Sequence, residues 1–175
     1  SGKYLYQRGD KFQAISLPYG KGGSSLYLFL PDEDSSLSSF LKGMSYEQWE
    51  QWMRGFRNTP GDIKLPRFKL DYDRSLNDAL KALGMEIAFA EGRAEFGGIS
   101  EQQKLFISEV KHKAIVEINE DGTEAAAATS VGISVTSVRP TPQRFNFVAD
   151  RPFLMVICDQ QTGAILFLGA VVEPK

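Results

Sequence analysis

One histidine and one cysteine, His112 and Cys158, are this chain's whole supply of two side-chain types that often serve as base, thiol nucleophile or metal ligand. A hydrolytic triad needs a nucleophile, a base and a group that orients the base. His112 lies in a stretch that reads as a strand, where a histidine is ordinarily part of a core or a hydrogen-bond network. Cys158 ends the apolar run Phe153–Cys158 and reads as a small buried hydrophobe; alone, it can form no internal disulfide. No spaced His/Cys set suggests a metal site, and the glycines around Gly92 and Gly97 lack a phosphate-loop spacing. The side chains therefore point away from an enzyme, and no cofactor or metal is expected.

The unusual chemistry lies in the backbone of residues 120–136, where a charged turn leads into four alanines and then into alternating β-branched residues. Thr123, Ala125, Ala127, Thr129, Val131, Ile133 and Val135 grow steadily more apolar, while Glu124, Ala126, Ala128, Ser130, Gly132, Ser134 and Thr136 stay small or polar. That period of two is the signal of a strand with one face meant for a core. No proline occurs before Pro140, so each amide could join a ladder. Composition alone equally fits a short helix or a linker; the flanks favour the strand reading. Lys104–Asn119 reads as a strand before it, and Phe145–Asn146–Phe147 alternates after it. A loop of more than twenty residues between two strands is uncommon and usually functional or disordered.

At these residues the chain resembles the serpins. His112-Lys113-Ala114 and Glu120-Asp121-Gly122-Thr123-Glu124-Ala125-Ala126-Ala127-Ala128-Thr129 look like the serpin hinge. Phe147 to Ile157 is similar to the serpin signature, and Leu166 to Pro174 to the family's closing strand. Tyr27–Asp32 and Leu65-Pro66-Arg67-Phe68 are shorter echoes. The likeness runs along nearly all 175 residues in family order. It implies an α+β, multi-sheet serpin fold of which residues 1–175 are the C-terminal portion of one domain: strands of three sheets plus a few short helices, with 120–144 as hinge and reactive-centre loop. A serpin is roughly twice this long. The missing N-terminal half is expected to be a partner without which the sheet edges stay unpaired.

The implied activity is suicide inhibition of a serine protease, held as a covalent acyl-enzyme. The target's nucleophile attacks the scissile carbonyl. The cut loop inserts into the central sheet as a new strand, and the distorted triad and oxyanion hole cannot deacylate. Thr123, Ala125 and Ala127 suit insertion, because a bulky or charged residue there would be buried at a cost of several kcal/mol; Glu124 falls on the other face. In inhibitory serpins the residue before the cut is usually the seventeenth from the hinge glutamate, which places the reactive bond between Thr136 and Ser137, with Val135 the near alternative. Small β-branched residues there suit an elastase-like or subtilisin-like target. The resemblance also places His112 in the shutter beneath the opening sheet, and pairs Arg67 with Glu120 at the loop's base. A non-inhibitory serpin, acting as chaperone, carrier or storage protein, is the alternative; the small-residue hinge argues against it.

The elements that must position this loop are readable in outline. Lys11–Leu17 and Ser25–Leu30 read as strands joined through Pro18–Gly23. Ser36–Leu41 reads as a short helix ending at Gly43, and Ser45–Phe56 as a Ser45-capped helix with Trp49, Trp52, Met53 and Phe56 on a core-facing stripe. Asp62–Leu70 reads as a strand and Ser75–Leu83 as a helix capped by Ser75 and stopped at Gly84. Phe153–Asp159 and Ile165–Val172 read as a hairpin buried on both faces. A net charge of −2 gives no reason to expect nucleic acid as a partner. The longest apolar runs are too short to span a bilayer, so no membrane is expected. Localisation stays open at this stage, since the N-terminus is expected to lie upstream; an extracellular setting follows only from the family.

Overall fold

In chain order the elements are β1 (Gly2–Gly9), β2 (Phe12–Tyr19), β3 (Ser24–Pro31), α1 (Leu37–Lys42), α2 (Tyr46–Gly55), β4 (Arg57–Lys64) and β5 (Phe68–Ser75). They continue with α3 (Asn77–Leu80), β6 (Lys111–Ile118), β7 (Phe145–Val148), β8 (Phe153–Asp159) and β9 (Ile165–Val171). The structure, a computed structural model, describes residues 2–20, 22–118 and 144–174. It divides into two units, one built from Ser1–Phe68 with Ile118–Lys175 and one from Lys69–Glu117.

The first unit is organised by a seven-stranded sheet in the order β7-β4-β1-β2-β3-β8-β9. Neighbours run antiparallel except β4 and β7, which are parallel. β1 serves two sets of strands. Its Gly2–Tyr6 pair with β4, and its Leu5–Gly9 pair with β2. Strands expected of separate sheets are thus one hydrogen-bonded sheet here, joined where the two pairings overlap at Leu5 and Tyr6. The β2–β3 hairpin turns through Gly20, Gly22 and Gly23, all with positive φ, a conformation that costs glycine little.

β2, β3 and β8 are buried on both faces, and the core follows from that. Phe12, Ala14, Phe29, Leu154, Val156 and Cys158 form one face's cluster, and the stripe Trp49, Trp52, Met53 and Phe56 of α2 packs on it, as the helical spacing predicts. Phe29 lies within 6.3 Å, centroid to centroid, of five rings, those of Phe12, Phe40, Trp49, Trp52 and Phe56. α1 and α2 start on serine caps: Ser36 Oγ accepts from Ser39 N at 3.1 Å and Ser45 Oγ from Gln48 N at 3.3 Å.

Four expectations are corrected. The strand expected over Asp62–Leu70 is two strands, because Pro66 and its neighbours interrupt it. Among the described residues of the Lys104–Asn119 stretch, only Lys111–Ile118 form a strand. The residues before it bond elsewhere: Asn77 Nδ2 donates to Ser108 O (3.0 Å), Asn77 Oδ1 accepts from Val110 N (2.8 Å), and Ile107 N donates to Ala88 O (2.9 Å). The Ser75–Leu83 helix shrinks to α3, preceded by Leu76 rather than a serine cap, and runs on through wider and tighter turns kinked at Gly84 (φ 100°). Finally, β9 is not buried on both faces. Among the described residues it is the last strand of its sheet, and Ile165, Leu166, Phe167 and Leu168 are 41–56 % exposed.

In the second unit, β5 and β6 form a two-stranded sheet beside the helical turns of 77–89.

Candidate functional site

Most of the sequence-predicted site lies outside the described residues: Glu120, Gly122, Thr123, Glu124, Ala125, Ala126, Ala127, Ala128, Thr129, Thr136 and Ser137. Arg67 sits exposed in the link between β4 and β5. His112 lies in β6 as expected, yet it is exposed, not in a core, with its ring tilted against Tyr72 at 5.8 Å. Cys158 is buried as read, and burial pushes its thiol up from the ordinary range. Among the described residues no cluster of His, Cys, Asp or Glu could hold a metal ion.

After residues 119–143 the description of the chain resumes at Arg144, which leads into β7. Side chains alternate along a strand, so register decides what meets there. Tyr4, Tyr6 and Arg8 share one face of β1. Across from them stand Thr59, Arg57 and Gln13, respectively. Gly61 continues the same face of β4 and is paired with Phe145 of β7. The Phe145 ring lies flat on Tyr6 (4.1 Å, 5° between planes) and edge-on to Tyr4 (6.2 Å). It occupies the space a side chain at position 61 would need: a Cβ built on Gly61 would fall 2.3 Å from the ring. Arg144 adds a polar clasp, with Nη2 donating to Gly61 O (3.3 Å) and to Asp62 Oδ2 (3.1 Å). Burial raises the Tyr6 hydroxyl's pKa, against the opposing pull of Arg8, so Tyr6 stays a neutral donor.

These residues frame an open cleft of about 830 Å³, with Tyr6, Arg8, Gln13, Arg57, Arg144 and Phe145 among its walls. Sequence reasoning had no local signal for it. Tyr6, Arg57 and Phe145 are far apart in the chain, and only strand register brings them together.

The signature stretch Phe147–Ile157 is structural. Phe147 and most of β8 are buried, Ala149 N donates to Lys64 O (3.0 Å), and Arg151 Nε donates to Pro31 O (2.8 Å), tying the entry of β8 to the end of β3.

Comparison with known proteins gives a consistent result. A family profile described as Serpin (serine protease inhibitor) matches residues 1–174. Plasminogen activator inhibitor 2 of Homo sapiens is 39 % identical over 170 residues, covering 94 % of this chain and 40 % of that protein. A protein named Serine protease inhibitor from Cyanea capillata is 35 % identical over 175 residues, covering 98 % of this chain and 45 % of that protein. Among solved structures, the thermophilic serpin tengpin in its native state superposes with a TM-score of 0.80 at 31 % identity, covering 99 % of this chain and 45 % of that one. The chain spans under half the length of these relatives.

Proposed function

From the premise that this chain belongs to the serpin family, we propose that it is the C-terminal portion of a single serpin domain. The whole protein would inhibit a serine protease by trapping it as a covalent acyl-enzyme. It is acted on as a substrate and is not itself a catalyst. Residues 120–144 are the hinge and reactive-centre loop in this reading. The protease serine attacks the carbonyl of Thr136, the amine of Ser137 leaves, and an ester joins the two proteins. Insertion of the freed segment, led by Thr123, Ala125 and Ala127, then removes the protease from the geometry that deacylation needs.

The observation that carries this reading is the hinge sequence Glu120–Thr129, whose alternate positions are small enough to enter a sheet without burying a charge. The β-branched residues before the bond favour an elastase-like or subtilisin-like target. Arg67 and Glu120 are assigned as an ion pair at the loop's base, where an arginine can grip a carboxylate with two hydrogen bonds, and His112 as part of the shutter. The exposed apolar side chains of β9 support a role for the remaining serpin length as cover for this face.

The test is a denaturing gel of the full-length protein after incubation with an elastase-type protease, with mass analysis of the small released fragment. A band surviving denaturation near the summed mass, and a fragment beginning at Ser137, are expected. Clean cleavage without such a band would overturn trapping and favour the non-inhibitory alternative.

A further inference from the structure

We infer that the cleft beside Arg144 is a second contact site for the protease, and that it takes a carboxylate-bearing surface segment of that partner. The inference rests on the inhibitory reading above and adds to it the chemistry of a site away from the reactive bond.

The charge balance of the cleft points to an anion. Among the described residues three arginines line it and no carboxylate does. Two of the three are matched from outside: Arg8 makes a two-pronged bond to Asp32 (2.7 and 2.6 Å), and Arg144 bonds Asp62 at 3.1 Å. Arg57 is different. Its Nη1 donates to the carbonyls of Arg54 and Phe56, both at 2.8 Å, and among the described residues it has no carboxylate partner. The two carbonyls engage Nη1 and leave the Nη2 and Nε donors of this exposed side chain for a ligand. A fork of fixed donors at the mouth of an aromatic-walled cleft is suited to a carboxylate. Tyr6, directly across from Arg57 in register, adds a neutral hydroxyl donor.

Size and position choose the source. A water molecule takes about 30 Å³ in the liquid, so a cleft of about 830 Å³ has room for a short peptide segment rather than one small inorganic ion. The segment of the chain just before Arg144 is a poor occupant. Residues 138–143, which precede Arg144, carry Arg139 and no acid. Arg144 is also only seven residues beyond Ser137 of the proposed reactive bond, a reach of at most about 25 Å of extended chain, so a protease engaged at that bond is within range of this cleft.

The probe is fluorescein-labelled acetyl-tetraglutamate, with the tetraglutamine peptide as control, titrated by fluorescence anisotropy into the full-length protein. The acidic peptide is expected to bind roughly tenfold or more tighter than the neutral one. Arg57→Gln should cost about tenfold in affinity. Asn146→Asp, which places a carboxylate on an exposed wall residue and leaves the Arg57 bonds intact, should weaken binding comparably; it keeps the test decisive where Arg57→Gln unfolds. Arg74→Gln, the same charge change on exposed β5, should leave binding unchanged. Equal binding of the two peptides, no loss in Asn146→Asp, or an equal loss in Arg74→Gln would overturn the site. The covalent band with an elastase-type protease is scored in parallel. A band without peptide discrimination refutes the cleft and spares inhibition, whereas discrimination without a band refutes the assignment of the cleft to a protease.

Discussion

Gly61→Ala isolates the packing of Phe145, the first residue of β7, against β4 and β1. The Gly61 backbone is not in the left-handed region, so alanine is conformationally acceptable there. On its own the change would stabilise by about 0.4–1 kcal/mol, by narrowing the unfolded ensemble. The Phe145 ring reverses that sign. A Cβ at 61 would lie 2.3 Å from two ring carbons, about an ångström inside ordinary contact. Either the strands part, at about 1–3 kcal/mol for overpacking, or the ring swings away and loses its stack on Tyr6, at about 0.5–1.5 kcal/mol. Net destabilisation of about 1–2 kcal/mol is expected from these opposing terms. The assay is urea unfolding of the protein carrying this chain, in a double-mutant cycle with Phe145→Ala. In the Phe145→Ala background, Gly61→Ala should become neutral or mildly stabilising. The same penalty in both backgrounds would refute the argument, because it would mean that the ring is not what excludes a side chain at 61.

Phe29→Ala should destabilise by about 3–5 kcal/mol, since the ring is fully buried among five others; a loss under about 1 kcal/mol in urea unfolding would contradict that packing. Asp159 is held below its usual range by the Thr162 hydroxyl and by the Thr162 and Gln161 amides, which it accepts at 2.7, 2.8 and 3.2 Å. The turn's support is therefore present above the ordinary carboxylate pKa and is lost as pH falls through the lowered one; amide exchange at 161–163 should rise there, and Thr162→Val should shift that onset to higher pH. Cys158 should resist iodoacetamide at pH 8 in the native protein and react only on unfolding, because burial disfavours its thiolate. Thr123→Arg should convert the proposed inhibitor into a substrate on the denaturing gel, because insertion would bury a charge at a cost of several kcal/mol; a full yield of covalent complex would refute the hinge assignment.

The division between what the residues disclose and what the fold decides follows the range of the forces involved. α2 was legible because its Trp49, Trp52, Met53 and Phe56 stripe and its Ser45 cap are local, repeating signals. The β2–β3 hairpin was legible from its turn glycines and the β8–β9 hairpin from two apolar runs around a polar turn, and the hinge-like sequence and its family likeness need no coordinates at all. Segments whose backbone bonds run to distant partners were not legible. The apolar stretch before β6 reads as strand, yet Asn77 and Ala88 claim its hydrogen bonds. The apolar run of β9 reads as buried, yet burial depends on what lies beside a strand, and β9 ends its sheet. The cleft is the clearest case. Tyr6, Arg57, Gly61 and Phe145 carry no mutual signal along the chain, because a strand's register is a choice among pairings that differ by single-residue shifts. Only the assembled sheet, with β1 serving β2 and β4 together, sets Phe145 on Tyr6 and in the space a side chain at 61 would need, and places Arg57 beside them with no carboxylate partner among the described residues.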